Sequence, residues 1–133
     1  MPFVLVRESL IEAVQAEQAA EHGGRTGLRE LSPMKMMHAR VRALNESAST
    51  DLASLAACYG YALAHDQLFH DVNLSTALII TELFLSLNGY RLSADDTTCF
   101  LGFTVVGNGE LSAEAFASWI RGHITAQSLS TAA

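Results

Sequence analysis

The residues most able to do chemistry lie in one polar stretch, AHDQLFHDVNLSTAL, at positions 64–78. Two histidines, two aspartates, an asparagine and a glutamine there interrupt the apolar runs on either side. The stretch contains no lysine or arginine, and the next one along the chain is Arg91. A helix that starts near Asn73 would present free backbone N–H groups, which bind anions, and Asp71 beside it is a candidate Mg²⁺ ligand. With a nearby base, these groups would indicate phosphate chemistry.

The polar stretch is predicted to join two helices. One helix, capped by Ser49 or Thr50, ends near residue 66, and the other runs from residue 73 to about 88, where Gly89 ends it. The second helix is apolar nearly all round, which predicts that it lies at the centre of the fold. The remaining predicted helices cover residues 7–22, 33–44, 94–106 and 113–124, the last two capped by Ser93 and Ser112.

The predicted fold class is therefore all-α, a helical bundle with at most one small strand pair. Residues 3–6 are a candidate edge strand. We expect a single domain over residues 1–126 and a flexible tail over residues 127–133.

Composition excludes several classes of protein. Half of the 133 residues are hydrophobic and the formal net charge is −6, which argues against disorder and against a nucleic-acid partner. Cys58 and Cys99 show no zinc-ligand spacing and are expected to be free thiols in the cytoplasm. The longest apolar run, residues 77–87, is too short and too polar to span a membrane, and the N-terminus does not resemble a signal peptide.

The polar stretch resembles, in degenerate form, the Fic/Doc family signature H-x-F-x-[D/E]-[G/A]-N-[K/R]-R, which is often followed by Thr-Ala. The matching residues are Phe69, Asp71, Asn73, Thr76 and Ala77. Other segments resemble the death-on-curing toxin branch of that family: EHGGRTGLRE (21–30), ELFLSLNGYRLSADD (82–96) and GELSAEAFASWIRGHI (109–124). The segments agree in order and spacing, and the resemblance covers residues 8–124.

The resemblance implies a helical fold whose central buried helix starts at the signature. It also implies transfer of part of a nucleoside triphosphate, bound with Mg²⁺, to a protein hydroxyl. Most members transfer AMP, whereas the death-on-curing toxins resemble kinases that act on a translation factor. A protein partner is implied as well, because such toxins are usually paired with an antitoxin whose helical segment fills a groove.

Three positions of the signature keep their residue types. The resemblance assigns Phe69 as the anchor of the loop in the core, Asp71 as the Mg²⁺ ligand and Asn73 as a phosphate contact. The alternative for Asp71 and Asn73 is structural, since both residue types cap helices.

Four positions do not keep their types. Gln67 stands where the family has its catalytic histidine, and glutamine cannot take a proton near neutral pH. Val72 replaces the small residue of the phosphate cradle, and Leu74 and Ser75 replace the two basic residues that clamp the phosphates. Loss of a general base costs roughly 10²–10⁴ in rate, and loss of a charge stabiliser costs about 10²–10³.

We therefore expect a Fic/Doc-fold pseudoenzyme without AMP- or phosphoryl-transferase activity, which needs no cofactor and acts through a protein partner. Asp71 would be a vestigial metal site, and Asn73, Leu74 and Ser75 a vestigial phosphate site. The alternative is a divergent active transferase using Mg-ATP, with His65 or His70 as the base and Arg40 or Arg42 as the clamp.

A third interpretation starts from the dipeptide His70-Asp71 in LFHDVN, which resembles the HD dyad of metal-dependent phosphohydrolases. Such a site needs further ligands from other helices. The candidates in this sequence are His38 and Asp95.

Overall fold

The computed structural model describes residues 2–127, which form six helices and one pair of short strands. The elements are α1 (Glu8–His22), α2 (Leu31–Glu46), α3 (Leu52–Ala64), α4 (Asn73–Leu87), β1 (Tyr90–Leu92), α5 (Asp96–Gly107), α6 (Ala113–Arg121) and β2 (Ile124–Ala126). The prediction of an all-α fold with at most one small strand pair is confirmed.

Local sequence explains most helix ends. Gly23, with φ of 75°, stops α1, and Gly89, with φ of 83°, follows α4, because glycine adopts the left-handed conformation at little cost. Ser112 caps α6 as predicted, its side chain accepting a hydrogen bond from Ala115 N at 3.1 Å. Pro33 lies in the first turn of α2, but the helix already begins at Leu31.

Two predicted caps are wrong because a neighbouring aspartate takes the position. Asp51, rather than Ser49 or Thr50, caps α3 by accepting from Ser54 N at 2.9 Å. Asp95, rather than Ser93, caps α5 by accepting from Thr98 N at 2.8 Å. An aspartate carboxylate at these helix starts also interacts favourably with the helix dipole.

The most buried helix is α3, whereas the sequence places α4 at the centre. Ten of the 13 residues of α3 are buried, against six of the 15 residues of α4. α3 packs against α2, α4, α5 and α6, and small residues allow this close approach. At Gly60, a Cβ atom would lie 2.8 Å from the Phe116 ring and 2.9 Å from Thr81 Oγ1.

Residues 3–6 form no strand, contrary to the prediction. Side chains satisfy their backbone groups instead of a neighbouring strand. Asn45 bonds both the N–H and the carbonyl of Phe3 at 2.8 and 3.0 Å, and Asn88 bonds those of Val4 at 2.8 and 2.9 Å. The segment is therefore fixed across the ends of α2 and α4.

The strand pair joins two segments that are distant in the sequence. β1 and β2 are antiparallel, with Leu92 opposite Ile124. Ile124 thus lies in a strand and not, as predicted, in the last helix, because α6 ends at Arg121 and is followed by Gly122. The N–H of Gln127, placed in the tail by the sequence, donates to the carbonyl of Gly89 at 2.8 Å. The rest of the predicted tail lies outside the described residues.

In the part of the chain that the structure describes, no helix is both long enough and apolar enough to cross a membrane.

Candidate functional site

The polar stretch forms a loop between the end of α3 at Ala64 and the start of α4 at Asn73. Two neighbouring side chains fasten it to the core, Leu68 at 3% exposure and Phe69 at 0%. Phe69 therefore occupies the anchoring position that the family resemblance assigns to it. The polar side chains on either side of these two are left at or near the surface.

Asn73 closes the loop by pairing with the backbone of Phe69. Its Oδ1 accepts from Phe69 N at 2.9 Å, and its Nδ2 donates to Phe69 O at 3.0 Å. The side chain is thus committed to the loop and does not cap α4. The structure places Val72 at the N-cap position and gives α4 no side-chain cap.

The loop contains two residues in the left-handed conformation that favours glycine, Gln67 with φ of 51° and Val72 with φ of 54°. No other non-glycine residue within 2–127 has positive φ. For a β-branched residue such as Val72 this conformation is a genuine outlier. Strain of this kind costs about 1–3 kcal/mol per residue and is typical of functional sites.

Asp71 holds a second segment against the loop. Its Oδ2 accepts from Arg25 N at 2.7 Å, and a Cβ on Gly24 would lie 3.0 Å from the Asp71 Cβ. Asp71 therefore has a structural role, although it is not the helix cap of the alternative interpretation. One of its carboxylate oxygens is already occupied by an N–H donor.

Gln15 of α1 is a buried residue of the site that sequence reasoning missed. It is 0% exposed, and its Nε2 donates to the carbonyls of Arg25 and Asp71 at 3.0 and 3.1 Å. Its Oε1 accepts from Gly27 N at 3.1 Å. The signal was present in the sequence, because Gln15 lies one helical turn after the apolar Ile11 and so shares its face of the predicted helix.

Residues 27–29 run antiparallel to the loop. Leu28 and Phe69 form an isolated bridge in which Arg29 N donates to Leu68 O at 2.9 Å and His70 N donates to Gly27 O at 3.1 Å. The Arg29 guanidinium also donates to Gln67 O at 3.2 Å. Two sequence segments that separately resemble the family, residues 21–30 and 64–78, are thus in direct contact.

A shallow cavity of about 380 Å³ opens where the loop meets the N-terminus of α4. Among its lining residues Asp71 is the only carboxylate, and there is no lysine or arginine. Its walls are Ala64, Gln67, His70, Asp71, Val72, Asn73, Leu74, Thr104 and Gly107. Its lining side chains therefore supply one formal negative charge and no cation to bind a triphosphate.

Leu74 and Ser75, the two positions where the family signature has basic residues, are partly buried. Leu74 packs against the hydrophobic core, and its Cδ1 lies near Gly107 of α5. Ser75 Oγ donates to Val72 O at 3.2 Å. Neither side chain supplies a positive charge, so the residues present do not fit Mg-ATP.

The arginines that could have taken over the clamp lie elsewhere. Arg40 lines a groove between α2, α3 and α6, and Arg42 lines a cavity beside the start of α1. Arg29 lines a second cavity, of about 320 Å³, on the other side of Gln67, together with Glu30 and Asp66. The two carboxylates offset its charge.

The histidines of the loop differ in their surroundings. His65 Nδ1 lies 2.8 Å from Asp66 Oδ1, and its ring stacks on Tyr61 with centroids 4.5 Å apart. His70 lines the same two cavities as Gln67. Of the two histidines, His70 is therefore the one that shares both cavities with Gln67, the position of the family's catalytic histidine.

The ligand set of the HD-type interpretation does not come together. Asp95 caps α5, and His38 lines the cavity beside α1, where burial lowers its pKa. Within residues 2–127 no three His, Cys, Asp or Glu side chains lie close enough to hold a metal ion.

A scan of the chain against models of known protein families finds no match, and a search of curated proteins finds no significant one.

Proposed function

We propose that this chain is a Fic/Doc-fold pseudoenzyme that has lost nucleotide and phosphoryl transfer and acts by binding a protein partner. The observation that carries the proposal is the backbone at Val72. The resemblance places a glycine or alanine there, and the residue has the left-handed conformation that glycine adopts without strain. The loop has a backbone suited to a phosphate cradle, although its residue at that point is valine.

The contacts that anchor the loop support the same alignment with the family signature. Phe69 is buried, Asn73 holds the Phe69 backbone at both its N–H and its carbonyl, and Asp71 holds residue 25. These contacts maintain the shape of the loop without any ligand, so they explain how it persists after catalysis is lost.

The residues at the positions of the catalytic base and the phosphate clamp support the loss of activity. Gln67 cannot act as a base, and Leu74 and Ser75 leave the cavity without a cation. Two lost charge-assisted hydrogen bonds, at about 1.5–3 kcal/mol each, correspond to roughly 10²–10⁴ in triphosphate affinity. The N-terminus of α4, with its partial positive charge, cannot replace two cationic side chains.

The transfer reaction gives a direct test. Purified protein with Mg²⁺ and labelled ATP or other nucleoside triphosphates is expected to label no protein in a cell lysate. The alternative is a divergent active transferase, and the observation in its favour is that His70 lines the cavity. Labelling that disappears in both Asp71→Ala and His70→Ala would overturn the proposal and establish that alternative.

The partner is proposed to be a protein whose apolar helix occupies a groove, as an antitoxin segment would. A groove of about 380 Å³ between α2, α3 and α6 has mainly small and apolar walls, including Leu44, Ala57 and Ala117. The product of a neighbouring short reading frame is the natural candidate. Co-purification with this chain that is lost on Ala117→Arg, a partly buried position of the groove, with the fold intact, is the expected result. Co-purification that this substitution leaves unchanged would exclude the groove.

A further inference from the structure

Three of the positive charges of this acidic chain lie around one cavity, which shares no lining residue with the cavities at the 64–78 loop. The chain has eight lysines and arginines and a net charge of −6, yet Arg7, Lys35 and Arg42 all line one cavity of about 470 Å³. The other lining residues are Leu5, Val6, Glu8 and His38. None of these residues lines the cavities at the loop.

Two elements bring these charges together. Lys35, His38 and Arg42 lie at positions i, i+3 and i+7 of α2 and share one face of that helix. Arg7 comes from the opposite wall, at the N-cap position of α1. Lys35 and Arg42 lie about two helical turns apart with His38 between them, so they can face the same bound anion.

Only one of the three cations is paired. Lys35 Nζ lies 3.1 Å from Glu8 Oε2, whereas no carboxylate of residues 2–127 lies within 4.0 Å of the Arg7 or Arg42 guanidinium. With Glu8 counted, the cavity carries two net positive charges. His38 adds none at neutral pH, because burial and the nearby Arg42 and Lys35 lower its pKa, outweighing the opposite effect of Glu8.

The backbone adds donors to the same wall. No side chain caps the N-terminus of α1, and Leu10 N already donates to Arg7 O at 3.1 Å. The N–H groups of Glu8 and Ser9 are therefore the ones left to bind an anion, and the helix dipole favours negative charge there. Guanidinium groups pair with phosphate oxygens through two parallel hydrogen bonds. The volume of the cavity is within the range of small-molecule sites.

We propose that the cavity formed by Arg7, Lys35, His38 and Arg42 is a binding site for a small phosphate-bearing dianion. Two net positive charges match a phosphate monoester or a pyrophosphate better than a monocarboxylate. The site is independent of the proposed loss of transferase activity, because it uses none of the residues that line the cavities at the loop.

The test uses inorganic pyrophosphate as the probe, with the full chain in a buffer of low anion content and calorimetry as the readout. The parent is expected to bind it, and Arg42→Ala and Arg7→Ala are each expected to weaken binding about tenfold or more. Arg40→Ala is the matched control, since Arg40 lies on α2 but lines a different groove. Arg40→Ala should bind like the parent.

Three results would overturn the proposal. The first is no binding by the parent at millimolar pyrophosphate. The second is an equal loss in Arg40→Ala and Arg42→Ala, which would indicate general charge attraction. The third is equal affinity for succinate and pyrophosphate, which would exclude a site for phosphate. Melting curves of all variants verify that the fold is retained.

Discussion

Val72 is the loop residue whose side chain is least suited to its backbone conformation. A left-handed backbone costs an L-residue roughly 1–2 kcal/mol, and β-branching adds to the crowding. Glycine removes that strain but costs about 0.5–1 kcal/mol through the freedom it gives the unfolded chain. The strain in the folded state is the larger of the two effects.

We therefore expect Val72→Gly to raise the free energy of unfolding by about 0.5–1 kcal/mol, measured by urea denaturation. Val72→Ala is the matched control, because it removes the branched methyl groups but keeps the left-handed Cβ, and its gain should be smaller. A lower stability of Val72→Gly than of the parent would mean that the packing of the Val72 side chain outweighs the strain.

The residues of the site were predictable to different extents. Phe69 was predicted as the anchor and is fully buried, because a large aromatic side chain in a polar stretch has few other places to lie. The pairing of Asn73 with the Phe69 backbone was not predicted, since it depends on the path of the loop, and helix capping is the commoner use of asparagine. The left-handed Val72 runs against residue preference, so no propensity argument could have found it.

At the level of the helices, Asp51 joins α3 to α6. It caps α3 through Ser54 N, and its carboxylate lies 2.7 and 3.2 Å from two guanidinium nitrogens of Arg121. The hydrogen bond from Arg121 holds the pKa of Asp51 far below its usual value. Because the pKa is lowered in the folded state, the stabilisation is complete above the unfolded pKa near 4 and is lost as the pH falls further.

Two substitutions separate the functions of Asp51. Asp51→Asn keeps a capping oxygen but removes the charge, so it should cost only about 0.2–1 kcal/mol, the usual worth of an exposed ion pair. Asp51→Ala also removes the cap and should cost about 1 kcal/mol more. Below about pH 4, the free energy of unfolding of both variants should fall less steeply than that of the parent. Equal costs for both variants would contradict the capping role.

Gly60 makes the close packing of α3 possible. A Cβ at this position would meet Phe116 and Thr81 at 2.8 and 2.9 Å, closer than side chains normally approach. Gly60→Ala should therefore lower the free energy of unfolding by about 1–3 kcal/mol, although alanine is the better helix former. Gly107→Ala is the control, because its nearest neighbour would lie 3.5 Å away, and we expect it to be neutral or stabilising. An unchanged Gly60→Ala melting temperature would mean that α6 moves away easily.

The helices were predicted well where local signals mark their ends. α1 and α4 were predicted to within one or two residues, because Gly23 and Gly89 stop them. The strand pair was not placed, because β1 and β2 are stabilised by each other across more than 30 residues and neither carries a strong local pattern. The central position of α3 was missed because small residues, and not large apolar ones, allow helices to approach closely.

For the whole molecule, the proposal is that a helical scaffold maintains the loop while the loop has lost its chemistry. The four segments that resemble the family meet in two pairs, residues 21–30 with the loop and residues 82–96 with residues 109–124 where β1 pairs with β2. The cavity at the loop has no cation, and the cationic cavity lies elsewhere. An anion bound by the protein can therefore occupy the cationic cavity, so anion binding at the loop has to be measured separately.

The repaired loop tests the central claim most directly. The variant Gln67→His, Val72→Gly, Leu74→Lys, Ser75→Arg gives all four divergent positions the residue types of the Fic/Doc signature. Leu74 packs against the core, so the lysine should cost some stability, which Val72→Gly partly offsets. Arg42→Ala is added to the parent and to the variant, so that the cationic cavity does not contribute to the measured affinity.

The measurement is the affinity for ATP with Mg²⁺ by calorimetry, after circular dichroism has verified the fold. The account predicts that the repaired variant binds at least about tenfold tighter than the parent, since two charge-assisted hydrogen bonds to phosphate are regained. A control with only Gln67→His and Val72→Gly, which adds no cation, should bind like the parent. A folded four-residue variant that binds ATP no better than the parent would contradict the claim that residues 64–78 are a degenerate phosphate site.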